Sequence, residues 1–534
     1  MSNHLPPMTR RRFLSAAAAT GLTAAGASLM PAWAQAPVAG QRGGVLSYNI
    51  ESDPPNFDLI SNTTSRVLDS IGGCYNGLIQ FDPADPQTII GDLAESWELA
   101  PDGLAITFRL RQNVKFHDGT PMTSADVKYT FDVTRDPPEG VVSTRKAVLS
   151  SVSSIDAPDD HTVVFNLSRP APGLLASLCP NWFSVLPKHV LEQGAMKDVV
   201  VGTGPFKLQA YNRGNNIELV RNPDYFDPDR PYADAINIYI IPDQASVMAY
   251  FRSGQLNIFE AMEQSLAHQA EADMTGEATV QSVPSLNAIA LHFNLQVKPW
   301  DDVRVRKAAA LAIDRTAAVA VMFKGDAVLG GMSPPNGAWT LPEADLHGIA
   351  GFAPVQSPKA LDDARALLAE AGFPDGFETR LVVRRDDRFG PWGVFLKDQL
   401  GKIGITVNLD PQEAATYSDS QKAKSFDLHG GNLSIAVDDP DAIFGNQVVS
   451  GAGGNYSQIA DPEIDALFLA QSQELDPVAR KALANELEVK VLSQYLVYPV
   501  AYSFRFLGTR SDVHDYVLHA QTNNNRRMGN IWIG

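Results

Sequence analysis

Residues 97–111 constrain the fold of this chain more than any other stretch. Leu104, Ile106, Phe108 and Leu110 alternate with Thr107, Arg109 and Arg111, and Asp102-Gly103 precedes the run. A period of two with one polar face, entered through an Asp-Gly turn from Trp97-Glu98-Leu99, dictates a β-hairpin. Further strands are predicted at Gly43–Ile50, His161–Ser168 and Ile403–Leu409. Helices interleave with them. Thr123-Ser-Ala-Asp126 reads as an N-cap with a carboxylate at the third position, opening 127–133. Asp302 starts a helix toward Asp314. Ser357-Pro358 starts another, with Leu361, Ala364, Leu367 and Leu368 as its apolar stripe and Gly372 and Pro374 as its stop. Trp392–Leu400 and a long region from Asp461-Pro462 toward Tyr495 complete the set. Strands and helices mix without the even spacing of a βαβ barrel, so the fold class is α/β in the mixed α+β sense.

The start of the chain gives an address. Arg10-Arg11-Arg12-Phe13-Leu14 leads into an uncharged stretch from Ser15 to Met30, and Ala32-Trp33-Ala34 follows. A basic start, a short apolar segment and an A-x-A site predict a secretory signal peptide over residues 1–34, with twin-arginine character. No later apolar run is long enough to span a bilayer. The mature chain is therefore expected free in the periplasm. The formal net charge of the full sequence, -18, argues against nucleic acid as a partner, because such binding needs a basic face. Cys74 and Cys179 lack metal-ligand or CxxC spacing and read as buried small hydrophobes, with an oxidised pair left open.

Catalytic motifs fail. There is no G-x-S-x-G, no H-E-x-x-H, no EF-hand loop and no phosphate loop. Gly202-Thr-Gly-Pro-Phe-Lys207 has the wrong spacing, and Pro205 removes a donor. His429, next to Gly430-Gly431, is the one histidine that invites attention. No metal ligands, cofactor or catalytic set emerges.

Four segments in order resemble the extracytoplasmic solute-binding proteins of the peptide/nickel importer family, family 5. They are Gly91-Asp-Leu-Ala-Glu-Ser-Trp-Glu98 with Pro101-Asp-Gly103; Phe108–Gly119 running into Thr120–Val127; Val201–Lys207 with Arg221–Phe226; and Val303–Ala308 with Ala312–Arg315. The resemblance implies a type II periplasmic binding protein: two α/β lobes, an extra subdomain in the first, and a ligand cleft between them. Mapped here, lobe I covers 43–285 and 496–534 with the subdomain at 76–195, and lobe II covers 286–495. A site at a lobe interface is also the physical default for a small ligand. Implied partners are a peptide-like solute and the permease of an ABC importer, with the binding protein a monomer. A twin-arginine-exported enzyme on the same fold is the alternative.

In peptide-binding relatives an aspartate pairs with the peptide amino terminus. The matching stretch Ala436-Val-Asp-Asp-Pro-Asp441 puts Asp438 there, beside Asp439. An arginine for the far carboxylate is sought among Arg384, Arg385 and Arg388. Gly430, Gly431 and Asn432 are expected to offer backbone bonds to an extended ligand, with Trp392, Trp300 and Tyr48 as candidate walls.

Overall fold

Three sheets carry the molecule, and two very long strands tie them together. The computed structural model describes residues 40–534; the leader predicted at 1–34 lies outside them. The hairpin forms as read: strands Ala94–Leu99 and Ala105–Leu110 pair antiparallel with Trp97 opposite Phe108. Thr162–Leu167 and Val152–Asp159 extend this into a four-stranded sheet whose inward residues include Ile106, Phe108, Val163 and Phe165. Helix Ser124–Arg135 packs on it and starts with the predicted capping box between Thr123 and Asp126.

A second four-stranded sheet orders Val45–Ile50, Ala235–Ile240, Asn216–Arg221 and Phe206–Asn212. The third has seven strands, with Ala278–Phe293 and Val497–Arg510 paired antiparallel through most of their length. Each strand serves two cores. Leu286 to Phe293 and Val497 to Tyr502 belong to the large apolar core of the seven-stranded sheet. Val283 and Leu507 pack instead with Leu46, Ile217 and Ile236 of the other lobe. Register shifts between Pro284 and Ala288 mark the passage, as expected where a ribbon bends from one core to the next.

Two helix readings need correction. Helix Ala360–Glu370 begins with Lys359 at its N-cap, not Ser357; the Ser357 hydroxyl accepts only from the Lys359 amide at 3.3 Å. The region opened by Asp461 is two helices, Pro462–Gln473 and Pro477–Ser493. A second Asp-Pro pair at 476–477 starts the second helix, since proline fits the first helical turn while the preceding aspartate caps it.

Candidate functional site

The strand Leu428–Ser434 runs through the seven-stranded sheet between Ala278–Phe293 and Phe377–Arg384. Its ladder with the long strand continues from Leu428 to Ser434, whereas that with Phe377–Arg384 ends at Gly430. The Ile435 amide donates to Leu286 O, and the Asn294 amide to Asp427 O. In an antiparallel ladder this parity gives residues 427, 429, 431, 433 and 435 to the long strand. Gly431 therefore spends its peptide groups there, and Gly430 spends its own on the 377–384 strand. Asn432 and Ser434 turn their peptide groups to the side that the 377–384 strand leaves unpaired; their carbonyls already accept His292 Nε2 and Gln447 Nε2, each at 3.4 Å, so only their amides face that side without a strand partner. Both glycines are sterically required: a Cβ at Gly430 would lie 2.9 Å from Val383 Cγ1, and one at Gly431 2.5 Å from His429 Cε1.

Beyond the strand lies the acidic segment. Asp438 is partly buried; its Oδ2 accepts the Ala338 amide at 2.9 Å, while its Oδ1 is buried without a hydrogen bond. Burial, with the nearby Asp439 charge, pushes its carboxyl up to about 6. The Ala338 loop is itself wired into the second lobe. Glu488 accepts the amides of Met332 and Ser333 and the Ser333 hydroxyl, and Lys481 donates to Ala338 O at 2.8 Å.

Asp439 is already committed. Its carboxylate receives both Nη atoms of Arg480, at 2.9 and 2.8 Å, and also caps helix Pro440–Phe444 through the Asp441 amide. With side chains 4% and 5% exposed, the pair leaves no charge for a ligand. The sequence reading missed Arg480. Its signal was an arginine in line with Ala484, Leu487 and Val491 on the buried face of its helix, where a guanidinium must find an acid.

The three arginines stand in one turn but do different work. Arg384 Nε bonds Asp386, and Arg385 reaches Glu413 and Pro411 O at the surface. Arg388 lies over the Phe389 ring and has a buried Nη2 without a partner; burial and the neighbouring Arg384 lower its basicity. The aromatic walls are core residues instead. Trp392 is fully buried and stacked on Phe395, Trp300 donates to Thr379 Oγ1, and the Tyr48 hydroxyl donates to Asp69 O inside the first lobe. None of these rings faces an opening. Cys74 and Cys179 are both free and buried, so the open pair is not bridged.

His429 sits opposite His292 across the ladder, the rings 5.6 Å apart, among Tyr417, Phe426 and Tyr456. Both imidazoles are driven toward the neutral form by burial, His292 down to about 4. Among the described residues no group of three His, Cys, Asp or Glu side chains is placed to hold a metal ion.

The two lobes meet along this same segment. Val437 and Ala442 pack into the apolar core of the hairpin sheet, and Gln87 of the first lobe donates to Asn336 O of the second. Two lobes joined by a paired-strand crossover and meeting at a seam of mixed apolar and polar contacts have the architecture of a binding protein that encloses its ligand. A protein of Brucella ovis designated an ABC transporter peptide-binding protein is 29% identical over 500 residues, 89% of each chain. Di/tripeptide-binding protein 1 of Pseudomonas aeruginosa is 27% identical over 88% of this chain and 91% of its own. Among solved structures, the ABC transporter-associated periplasmic binding protein DppA from Helicobacter pylori, in complex with the peptide STSA, superposes with a TM-score of 0.75 at 24% identity. It covers 92% of this chain and 98% of its own. The chain belongs to the bacterial extracellular solute-binding proteins, family 5, whose middle-region model matches residues 88–455.

Proposed function

We propose that this chain is the periplasmic, monomeric substrate-binding component of an ABC importer. It captures a peptide-like or amine-bearing solute between its lobes and hands it to a membrane permease without a reaction of its own. Export by the twin-arginine leader and a lobe division of 43–285 with 496–534 against 286–495 are parts of the same reading. In this reading the long strand Val497–Arg510 packs up to Tyr502 in the core of the seven-stranded sheet and at Leu507 with the first lobe, which supports a return to lobe I within that strand.

One observation carries the choice of ligand. The amides of Asn432 and Ser434, past the end of the 377–384 ladder, lie a few residues before Asp438, whose Oδ1 accepts no hydrogen bond; the two carbonyls there accept His292 and Gln447. An extended backbone can bond to such amides without regard to sequence, and a desolvated carboxylate suits an ammonium. Relatives designated as peptide-binding support the same class.

The test is titration calorimetry of the mature chain with a panel of di- and tripeptides and their N-acetylated forms. Free-amine peptides should bind and be recovered unchanged by mass spectrometry. Asp438→Asn should weaken them by about 1.5–3 kcal/mol, the range for a hydrogen bond to a charged group. Equal binding of acetylated peptides, or an unchanged Kd in the variant, removes Asp438 from the site. Failure of the whole panel removes peptides.

A further inference from the structure

We propose that residues 169–178 of the hairpin subdomain form a latch that closes on the Asp439–Arg480 pair of the second lobe and holds the lobes together before any solute arrives. The proposal rests on the reading that the lobes open and shut over a ligand.

The second lobe presents a charge triad. Arg480 is paired bidentate with Asp439, and Asp441 Oδ1 lies 3.7 Å from the same guanidinium. Two carboxylates share one cation, so a negative charge is left over. Asp441 also accepts Gln471 Nε2 at 2.8 Å and the Ser472 hydroxyl at 3.3 Å. From the other lobe Arg169 Nη1 donates to that hydroxyl at 2.9 Å and brings a second cation behind Asp441. The charges across the seam are complementary.

Its shape is complementary as well. Gly173 presses its bare Cα onto the triad: a Cβ there would stand 2.5 Å from Asp439 Oδ1, 2.9 Å from Asp441 Oδ2 and 2.9 Å from Arg480 Nη2. Glycine is required here by close approach and not by backbone conformation. Below it, Leu475 of the second lobe reaches 3.1 Å from the Cβ position of Gly103, which also meets Pro170.

The energetics suit a latch better than a weld. Arg480 and Asp439 are already paired within one lobe, so opening exposes them to water without breaking their bond. Burying a preformed ion pair gains little net free energy. Opening also takes Val437 and Ala442 out of the hairpin core, so ligand-free protein should favour the shut seam with the open one as a minor population that a solute can shift.

The experiment uses the ligand-free mature chain with nitroxide labels at Glu139→Cys and Glu486→Cys, both exposed and one on each lobe; the native cysteines are buried. Electron–electron distance measurements on the labelled wild type should show a short, shut component. Arg169→Ala should reduce it several-fold by removing the cation, and Gly173→Leu should abolish it by filling the contact. Circular dichroism and thermal melts verify folding, and Arg169→Ala decides the matter if Gly173→Leu fails to fold. A wild type without the short component, or an Arg169→Ala distribution identical to wild type, overturns the latch. Neither result depends on which solute binds, so failure of the peptide reading would register separately in calorimetry.

Discussion

Single buried charges do much of the organising. Arg526 places Nη2 3.0 Å from Asp69 and Nη1 2.9 Å from Glu260, all three side chains being nearly inaccessible. Burial works to raise Glu260, yet Arg526 and the Tyr516 hydroxyl hold it below the usual glutamate range. The neighbouring Arg527 joins Asp92 at 2.6 Å, and Asp92 in turn holds Asn76 and the Gly77 amide. Two adjacent guanidiniums thus pin the end of the chain to the first lobe and to the hairpin subdomain. Arg526→Met should leave Glu260 without its ion-pair partner and Asp69 with Arg66 alone, and cost about 3–5 kcal/mol, the range for breaking a buried ion pair from one side. Urea unfolding followed by circular dichroism measures this; a loss below about 1 kcal/mol would show that water or Arg505 takes over the role.

Elements were legible in the sequence where a local signal decides the outcome. The hairpin, the capping box at Thr123 and the Asp302 cap are period and cap chemistry, and each formed where read. The break at 474–476 was missed, although Asp476-Pro477 carries the same signal as Asp461-Pro462. The Asp476 carboxylate accepts the Val478 and Ala479 amides at 3.0 and 2.8 Å. Asp476→Ala should therefore cost about 1 kcal/mol, the usual worth of an N-cap, read as a lowered denaturation midpoint with unchanged slope. An unchanged midpoint would mean that proline alone sets the helix start. The site was less legible because its chemistry is set by partners far along the chain. Asp438 and Asp439 are identical in sequence, yet Arg480 takes one and Ala338 only half of the other. Which of Gly430, Gly431 and Asn432 has a spare amide depends on ladder parity and on where the 377–384 strand stops pairing. Neither fact is local. Trp392 and Tyr48 were offered as walls by residue type alone, and bulky aromatics are more often core.

At the scale of the whole molecule the second lobe carries an acid-sensitive element. His292 and His429 are 1% and 0% exposed and share one face of the sheet with Tyr417, Phe426 and Tyr456. Among the described residues the cation that bears on them is Lys424, whose ammonium lies 4.8 Å from the Tyr456 ring centroid and disfavours a second positive charge. Burial holds both imidazoles neutral, His292 titrating only at about 4. An unfolded histidine takes its proton near 6.5. Above that pH neither state is charged and the pair contributes no pH dependence. Between 6.5 and about 4 the unfolded chain binds protons that the folded chain refuses, so stability falls throughout that window. For His292 alone the full loss is about 3 kcal/mol, since each tenfold drop in proton affinity on folding is worth about 1.4 kcal/mol. Asp438, Asp441, Glu488 and Asp92, raised by burial, act in the opposite sense, because protonating them favours the fold. The comparison that isolates the histidines is wild type against His429→Phe and His292→Gln, melted at a series of pH values from 7.5 to 4.5. The double variant should be less stable than wild type at pH 7.5 through lost packing, yet lose markedly less stability on acidification. Parallel curves for the two proteins would mean that the imidazoles already reach water or a proton in the folded lobe, and that acid unfolding starts at carboxylates held below their usual range, such as Glu260.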